Sequence, residues 1–386
     1  MEYVKLGDIC EIINGYAFKS KNYVTSGIRI IRITNVQKGF VEDTSPVYYP
    51  LSTKNDFKKY ILYPEDLLIS LTGNVGRVAI LDKKYLPAFL NQRVACIRLK
   101  SNKILKEYLF YMLNTNIFEI KSINSSKGIA QKNISTEWLK NYLVPLPNLE
   151  IQQHIVTILN KLRSAIKNKE RELSELDELI KARFVEMFGD PIGNQKGWET
   201  QTLEQSCSQI LGGGTPSKVH SEYFNGNIPW VTPKDMKTRI IIDSKDHITR
   251  EAILRSSAKL IPANSVLMVI RSGILKHTLP VAINKVKVTM NQDMKAFVPN
   301  LYINSIFLEN YFRAITPNIL SKVRSVTADN INFKEFRKRK VLIPPLSLQN
   351  EFANFVQQVD KSKVAVQKSL DETQRLFDSL MQEYFG

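Results

Sequence analysis

Two long stretches of the chain space their apolar positions in alternating steps of four and three. In the later one, Phe352, Val356, Val359, Val366, Leu370, Phe377, Leu380 and Tyr384 share one register, interrupted by Lys363 and Thr373. Moved back by 197 residues, the same register reads Ile155, Leu159, Leu162, Ile166, Leu173, Leu176, Ile180 and Met187, interrupted by Lys169 and Arg183. A stripe with this period is a coiled-coil seam. Each predicts a helix of roughly 37 residues, near 55 Å long at about 1.5 Å per residue. Val144-Pro145-Leu146-Pro147 and Ile343-Pro344-Pro345-Leu346 stand just upstream, where proline bars earlier helix. Each seam needs an apolar partner, and the cheapest is the other seam, paired antiparallel.

The remainder reads differently. Short apolar runs separated by turn residues predict strands at Ile28-Arg29-Ile30-Ile31-Arg32-Ile33, Asp66 to Leu71, Val94 to Ile97, Val266 to Ile270 and Val281 to Ile283. One further helix is expected in each half, over Leu105 to Asn114 and Ile306 to Ile315. The fold class expected is α+β: two tandem, mostly β domains at 1–145 and 191–342, separated by spacer helices at 146–190 and 343–386 that form an antiparallel coiled coil. That arrangement would be a dumbbell with a pseudo-two-fold axis through the helices.

The halves are also repeats in detail. An offset of 197 pairs Leu6 with Leu203, Cys10 with Cys207, Gly15 with Gly212, Gln152 with Gln349, and Phe188-Gly189 with Phe385-Gly386. Between 28 and 99 the offset becomes 200, pairing Leu67 with Leu267, Gly73 with Gly273 and Asn91-Gln92 with Asn291-Gln292. A period this long signals a two-copy architecture, since solenoid repeats run to tens of residues.

Charge narrows the partners. With 54 Lys and Arg against 37 Asp and Glu, the net charge of +17 points to a polyanion. No apolar run approaches the roughly 20 residues that span a bilayer, and the N-terminus lacks a signal-peptide core, so a cytoplasmic protein without a membrane partner is expected. Cys10, Cys96 and Cys207 are too few and scattered for a disulfide framework or metal cluster and read as buried thiols. No phosphate loop, His-Glu-x-x-His, Cys-x-x-Cys or Gly-x-Ser-x-Gly occurs, and Gly212-Gly213-Gly214-Thr215-Pro216-Ser217-Lys218 has the wrong spacing for the first. Ile343-Pro344-Pro345-Leu346 also lacks the amide or acidic residue and the aromatic of an amino-methyltransferase tetrapeptide. No catalytic or metal-binding constellation emerges.

The segment Gly213-Gly214-Thr215-Pro216-Ser217, then Tyr223-Phe224 and Gly226-Asn227-Ile228-Pro229-Trp230-Val231-Thr232-Pro233-Lys234-Asp235-Met236, resembles the opening of a target recognition domain from the specificity subunit of type I restriction-modification systems. Ser272-Gly273, Asn291-Gln292, the proline entry to the helix, its glutamines and the closing Phe-Gly extend the resemblance over nearly the whole chain. The first copy departs from it, with Tyr16-Ala17-Phe18-Lys19-Ser20 at the glycine segment and Ile30 at the Trp230 position. The resemblance implies a non-catalytic subunit that reads double-stranded DNA at an asymmetric, bipartite target. It also implies that the chain holds two methyltransferase subunits and, through them, restriction subunits. S-adenosylmethionine, ATP and magnesium would then belong to those partners, with no cofactor in this chain.

Base edges in the major groove are read by Arg, Asn, Gln, Ser and Thr, and phosphates by Lys and Arg. Polar loops after the expected strands supply Thr34, Asn35, Thr72, Asn74 and Arg77 in the first head. Lys234, Asp235, Arg271, Ser272, Lys276 and His277 are their counterparts in the second. Thr215 and Ser217 are loop-formers first and contacts second. Phosphate anchors are sought at Lys54, Lys58, Lys59, Lys83, Lys84, Lys234, Lys237, Arg239 and Arg337 to Lys340. For each of these an ordinary solvated charge is the competing reading. Asn91 and Asn291 recur in both halves and suit turn capping, and Trp230 suits a core or rim as well as a stacking platform. Helix faces bearing Lys167, Lys169, Arg171, Glu172, Glu175 and Asp177 are either solvated or docking surfaces. Two other functions fit the same features: the specificity subunit of a bipartite system whose methylation and cleavage share one subunit, and a coiled-coil scaffold that binds acidic proteins.

Overall fold

The computed structural model describes residues 2–126, 133–325 and 329–386. It divides into two compact units, one of Met1–Lys169 with Ser369–Gly386 and one of Glu170–Lys368. Both long seams are helical without interruption, over Leu149–Phe188 and Leu346–Phe385, 40 residues each. Each unit therefore holds one α+β head, the N-terminal half of one helix and the C-terminal half of the other.

In the first unit a five-stranded sheet runs in the order Cys10–Asn14, Val94–Leu99, Leu67–Ser70, Val78–Ile80, Gly39–Phe40, antiparallel except at the last pair. A four-stranded sheet joins Tyr48–Tyr49, Ile28–Ile31, Ala88–Leu90 and Ile61–Leu62, its central pair parallel. The second unit repeats the larger sheet as Cys207–Gly212, Met294–Pro299, Val266–Val269, Val281–Asn284, Ile240–Ile241. A three-stranded sheet of His247–Ile248, Ile228–Val231 and Thr289–Met290 stands beside it. The central strands are buried on both faces and read as unbroken apolar runs for that reason. Helices Lys106–Leu113 and Ser305–Ala314 lie close to the predicted bounds.

The structure corrects the repeat register in two places, of which the first is seen in the strand pairing. Leu67 stands opposite Ile97, and Val266 opposite Phe297, so Leu67 corresponds to Val266 rather than to Leu267. Thr72 bridges Asn133 as Arg271 bridges Asn330, which makes those two equivalent in turn. Beyond them Leu67 pairs with Ile80 while Val266 pairs with Ile283, so the second head's loop carries four more residues (283 − 266 = 17 against 80 − 67 = 13). The extra length forms the 3-10 turn Gly273–Lys276. A further one-residue correction concerns the glycines. A Cβ on Gly15 or on Gly213 would lie 2.1 or 1.8 Å from the carbonyl oxygen of Asn91 or Asn291, so Gly15 matches Gly213, not Gly212.

None of the twenty seam positions is exposed. In the second unit Ile180, Phe184, Met187 and Phe188 share a core with Phe352, Val356 and Val359, and with Phe297, Phe307 and Phe312 of the head. Arg183 reaches Glu351 at 3.0 Å and Asp177 meets Lys363 at 2.6 Å. The first partner numbers fall as the second rise, so the helices pair antiparallel there. Lys363, a polar break in the seam, is held by that aspartate. In the first unit Ile155, Val156 and Leu159 pack with Tyr108 and Leu109, and Phe377, Leu380, Met381 and Tyr384 lie against the same core.

One buried side chain fastens each head to its helix. The Gln152 carbonyl oxygen accepts from Leu105 N–H at 2.8 Å, and its amide donates to the carbonyls of Lys103 (2.9 Å) and Pro147 (2.8 Å). Gln349 repeats the arrangement with Asn304 N–H (2.9 Å) and the carbonyls of Tyr302 (3.0 Å) and Pro344 (2.8 Å). Both side chains are fully buried. Each satisfies a helix N-terminal donor and two carbonyls that lie outside any strand ladder.

Candidate nucleic-acid interface

Exposed polar loops at the ends of the larger sheet's strands carry most of the residues singled out above. In the first head, Arg77 donates to the Gln37 side chain at 2.6 Å, and Gln37 donates to the Thr34 carbonyl at 2.9 Å. The hairpin loop 71–77 and the turn Ile33–Asn35 are thereby tied together, with Thr34 and Asn74 exposed. Thr72 contacts Asn133 at 3.4 Å. In the second head Lys234, Lys276, His277 and Ser217 are exposed, and Ser272 caps the 3-10 turn. Arg271 is held by Asp293 at 2.6 Å while its side chain stays half exposed. Asp293 is held in turn by the Asn291 amide at 3.1 Å, so this guanidinium is aimed before any ligand arrives. The Thr215 hydroxyl is bonded to Gln292 beside it.

Two of the singled-out residues are occupied inside the fold. Asn35 is buried; its oxygen accepts from Arg32 N–H at 2.8 Å and its amide donates to Glu42 and Asp43. Asp235 repeats the motif, accepting from Thr232 N–H at 2.8 Å and from Lys245 N–H at 3.1 Å. Both shape the turn that presents their neighbours Thr34 and Lys234; Asn35 is buried with its amide used up, while Asp235 stays half-buried. Asn91 and Asn291 each accept a backbone N–H two residues on, the Asx turn that suits a residue shared by both heads. Trp230 is buried and donates its indole N–H to the Gly214 carbonyl at 3.0 Å, which makes it the anchor of the glycine segment rather than a platform. In the first head Phe18 and Phe89, stacked at 5.3 Å beside Ile30, fill the corresponding space.

Among the basic residues, Lys54, Lys58, Lys59, Lys83, Lys84, Lys237, Lys338 and Lys340 are exposed, while Arg337 pairs with Glu204 and Arg339 with Asn318. Arg239 is not a surface anchor. It meets the buried Glu309 at 2.7 Å and Asp360 of the second long helix at 3.4 Å. Burial pulls its pKa down, but Glu309 and Asp360 more than offset this and hold the guanidinium charged. Composition alone cannot separate such a network member from an anchor.

Burial pushes the thiols of Cys10 and Cys207 up to about 12 and raises Cys96 further, which leaves them unreactive. Among the described residues no group of three or more His, Cys, Asp or Glu side chains gathers to hold a metal, and no helix is long and apolar enough to cross a membrane.

Two copies of one α+β head, each bound into halves of both long helices and presenting polar strand-end loops, define an internally duplicated, two-headed class of protein. The family model described as "Type I restriction modification DNA specificity domain" matches twice, over residues 1–178 and 195–373. The chain belongs to that family. It is 33% identical over 274 residues to the EcoR124I/EcoR124II specificity subunit of Escherichia coli, covering 67% of this chain and 64% of that one. With the EcoBI specificity subunit of Escherichia coli it shares 23% identity, over 99% of this chain and 85% of the relative. The chain thus spans somewhat under two thirds of the first relative's length and most of the second's. Among solved structures, the S subunit of a type I system from M. genitalium matches in fold with a TM-score of 0.58 at 14% identity, over 100% of this chain and 96% of that one. A chain from a study of type I complex assembly and conformational transition gives 0.59 at 18% identity, over 100% and 97%.

Proposed function

We propose that the chain is the non-catalytic, sequence-reading subunit of a type I restriction-modification complex in the cytoplasm. Each head reads one part of a bipartite DNA target. Similarity of the two heads in fold and difference in their loops carries this reading: one frame presents Thr34, Thr72, Asn74 and Arg77 in the first copy and Lys234, Arg271, Lys276 and His277 in the second. Two different half-sites follow, hence an asymmetric target. Partners of the complex are two methyltransferase subunits and, through them, restriction subunits. S-adenosylmethionine, ATP and magnesium belong to these partners. The test is to map methylated adenines in cells carrying the chain, then replace residues 1–145 with the head of a relative. One half of the methylated motif should change and the other persist; a change in both halves, or in neither, refutes modular reading.

A further inference from the structure

Resting on the DNA reading, a second kind of contact can be located at a place that both heads build from different residues. In the first head, the end of the edge strand Cys10–Asn14 and the 3-10 turn Lys58–Tyr60 bound a cleft of about 610 Å³. Lys58 and Lys59 are exposed on its rim, and neither has a carboxylate within ion-pair distance among the described residues. Arg98, also in its wall, is neutralised by Asp66 at 2.6 Å, and Glu11 is the acidic group lining it. The Asn14 amide donates to Thr136 at 3.3 Å at the strand end.

In the second head Gly212 takes the place of Asn14, and the Lys295 ammonium fills the vacated space, 2.8 Å from where a Cβ would stand. Phe333 replaces Thr136, with Lys295 Nζ 4.9 Å from its ring centre. Lys259, on the segment equivalent to Lys58–Tyr60, is exposed beside it. No ion pair to Lys259 or Lys295 occurs among the described residues. Burial, and then repulsion from Lys259, lowers the Lys295 pKa. Two like charges kept together without an acidic neighbour are unfavourable unless an anion joins them.

We propose that this cleft and the equivalent strand end of the second head are phosphodiester sites that grip the DNA backbone, through Lys58 and Lys59 in one head and Lys259 and Lys295 in the other. They adjoin the loops assigned to base reading, since Lys295 lies two residues along the strand from Asp293, which holds Arg271. Backbone anchors need no sequence information, so the site recurs while the loops diverge.

The experiment measures binding of the full chain to a duplex carrying its mapped target and to a scrambled duplex, over a range of salt. The variants are Lys58→Gln/Lys59→Gln and Lys259→Gln/Lys295→Gln, with Lys322→Gln/Lys361→Gln as a charge-matched control. Each cleft pair should lower the slope of log affinity against log salt by roughly 1.8, at about 0.9 per phosphate contact. Target and scrambled duplexes should weaken together, so that their ratio holds. The control should leave the slope near the parent value. Parent-like slopes in both cleft pairs overturn the proposal while leaving the DNA reading intact, and a collapsed target-to-scrambled ratio at unchanged slope turns the lysines into base readers instead. A parent chain that shows no preference for its target removes both.

Discussion

Gln349 offers the sharpest test of how a head is fixed to its helix. Replacing it with methionine keeps the volume but leaves Asn304 N–H and the carbonyls of Tyr302 and Pro344 without their partner. A buried backbone group left unpaired costs about 1–3 kcal/mol. Three such groups, partly relieved by the apolar replacement and by local loosening, should cost roughly 3 kcal/mol in all. For a unit of about the size of Glu170–Lys368 this lowers the melting temperature by roughly 6–12 °C. Calorimetry of Gln349→Met reads the total, and amide exchange at Asn304 reads the site. Gln349→Glu sharpens the test. At neutral pH its carboxylate still accepts from Asn304 but faces two carbonyl oxygens, so it should be worse than methionine; on acidification the protonated acid donates again and the gap should narrow. An unchanged exchange rate at Asn304, or a glutamate variant with no pH-dependent recovery, would refute the clamp.

Burial raises the Tyr311 pKa to about 12, and its hydroxyl donates to the Lys340 carbonyl at 2.6 Å. A folded pKa above the unfolded value of about 10 favours the fold below pH 10, and that contribution is lost as pH climbs toward 12. Alkaline unfolding followed by tyrosinate absorbance should show a Tyr311→Phe chain losing less stability over that window, by about 2 kcal/mol; identical alkaline profiles would rule the group out. Asp177→Ala strands Lys363 in the seam and should cost about 1 kcal/mol, whereas adding Lys363→Met should recover it, because a seam-facing ion pair is worth little beside an apolar contact. Melting curves in which the double variant is worse than the single contradict this reading. Inserting one helical turn near Lys169 and its counterpart Val366 should lengthen the unread gap of the methylated motif and leave both half-sites as they were; an altered half-site with the old gap argues against the helices as spacers.

The long helices, the central strands and the helix at Leu105 to Asn114 were legible because their apolar spacing is dictated by burial on one stripe or on both faces. Asn116–Ser125 was not, since its apolar residues do not keep to one side and its start depends on the Thr115 hydroxyl capping Phe118 N–H at 3.2 Å. In the interface, exposure followed polarity at Thr34, Asn74, Lys234 and Lys276. Asn35 and Arg239 are taken up inside the fold, since their chemistry suits DNA and a turn or a buried network equally. Only the neighbours across the fold separate those uses. Nothing in the local sequence marks Lys259 and Lys295, because the lack of a counter-charge shows only across the fold.

The tie between each head and its helix has the opposite polarity in the two halves. In the first, Arg163 of the long helix lies 5.1 Å from the Phe110 ring centre and donates to the Gly39 carbonyl at 3.3 Å. In the second, Arg239, Glu309 and Asp360 stand at the positions of Gly39, Phe110 and Arg163. A copy of the second head in the first head's seat would set Arg239 against Arg163, and the reverse exchange would leave Asp360 facing a glycine and a phenylalanine. Gene conversion between the halves is thus penalised at the joint itself. That keeps the two halves unlike at their joints, so that an exchange of heads would call for matching changes on the long helices.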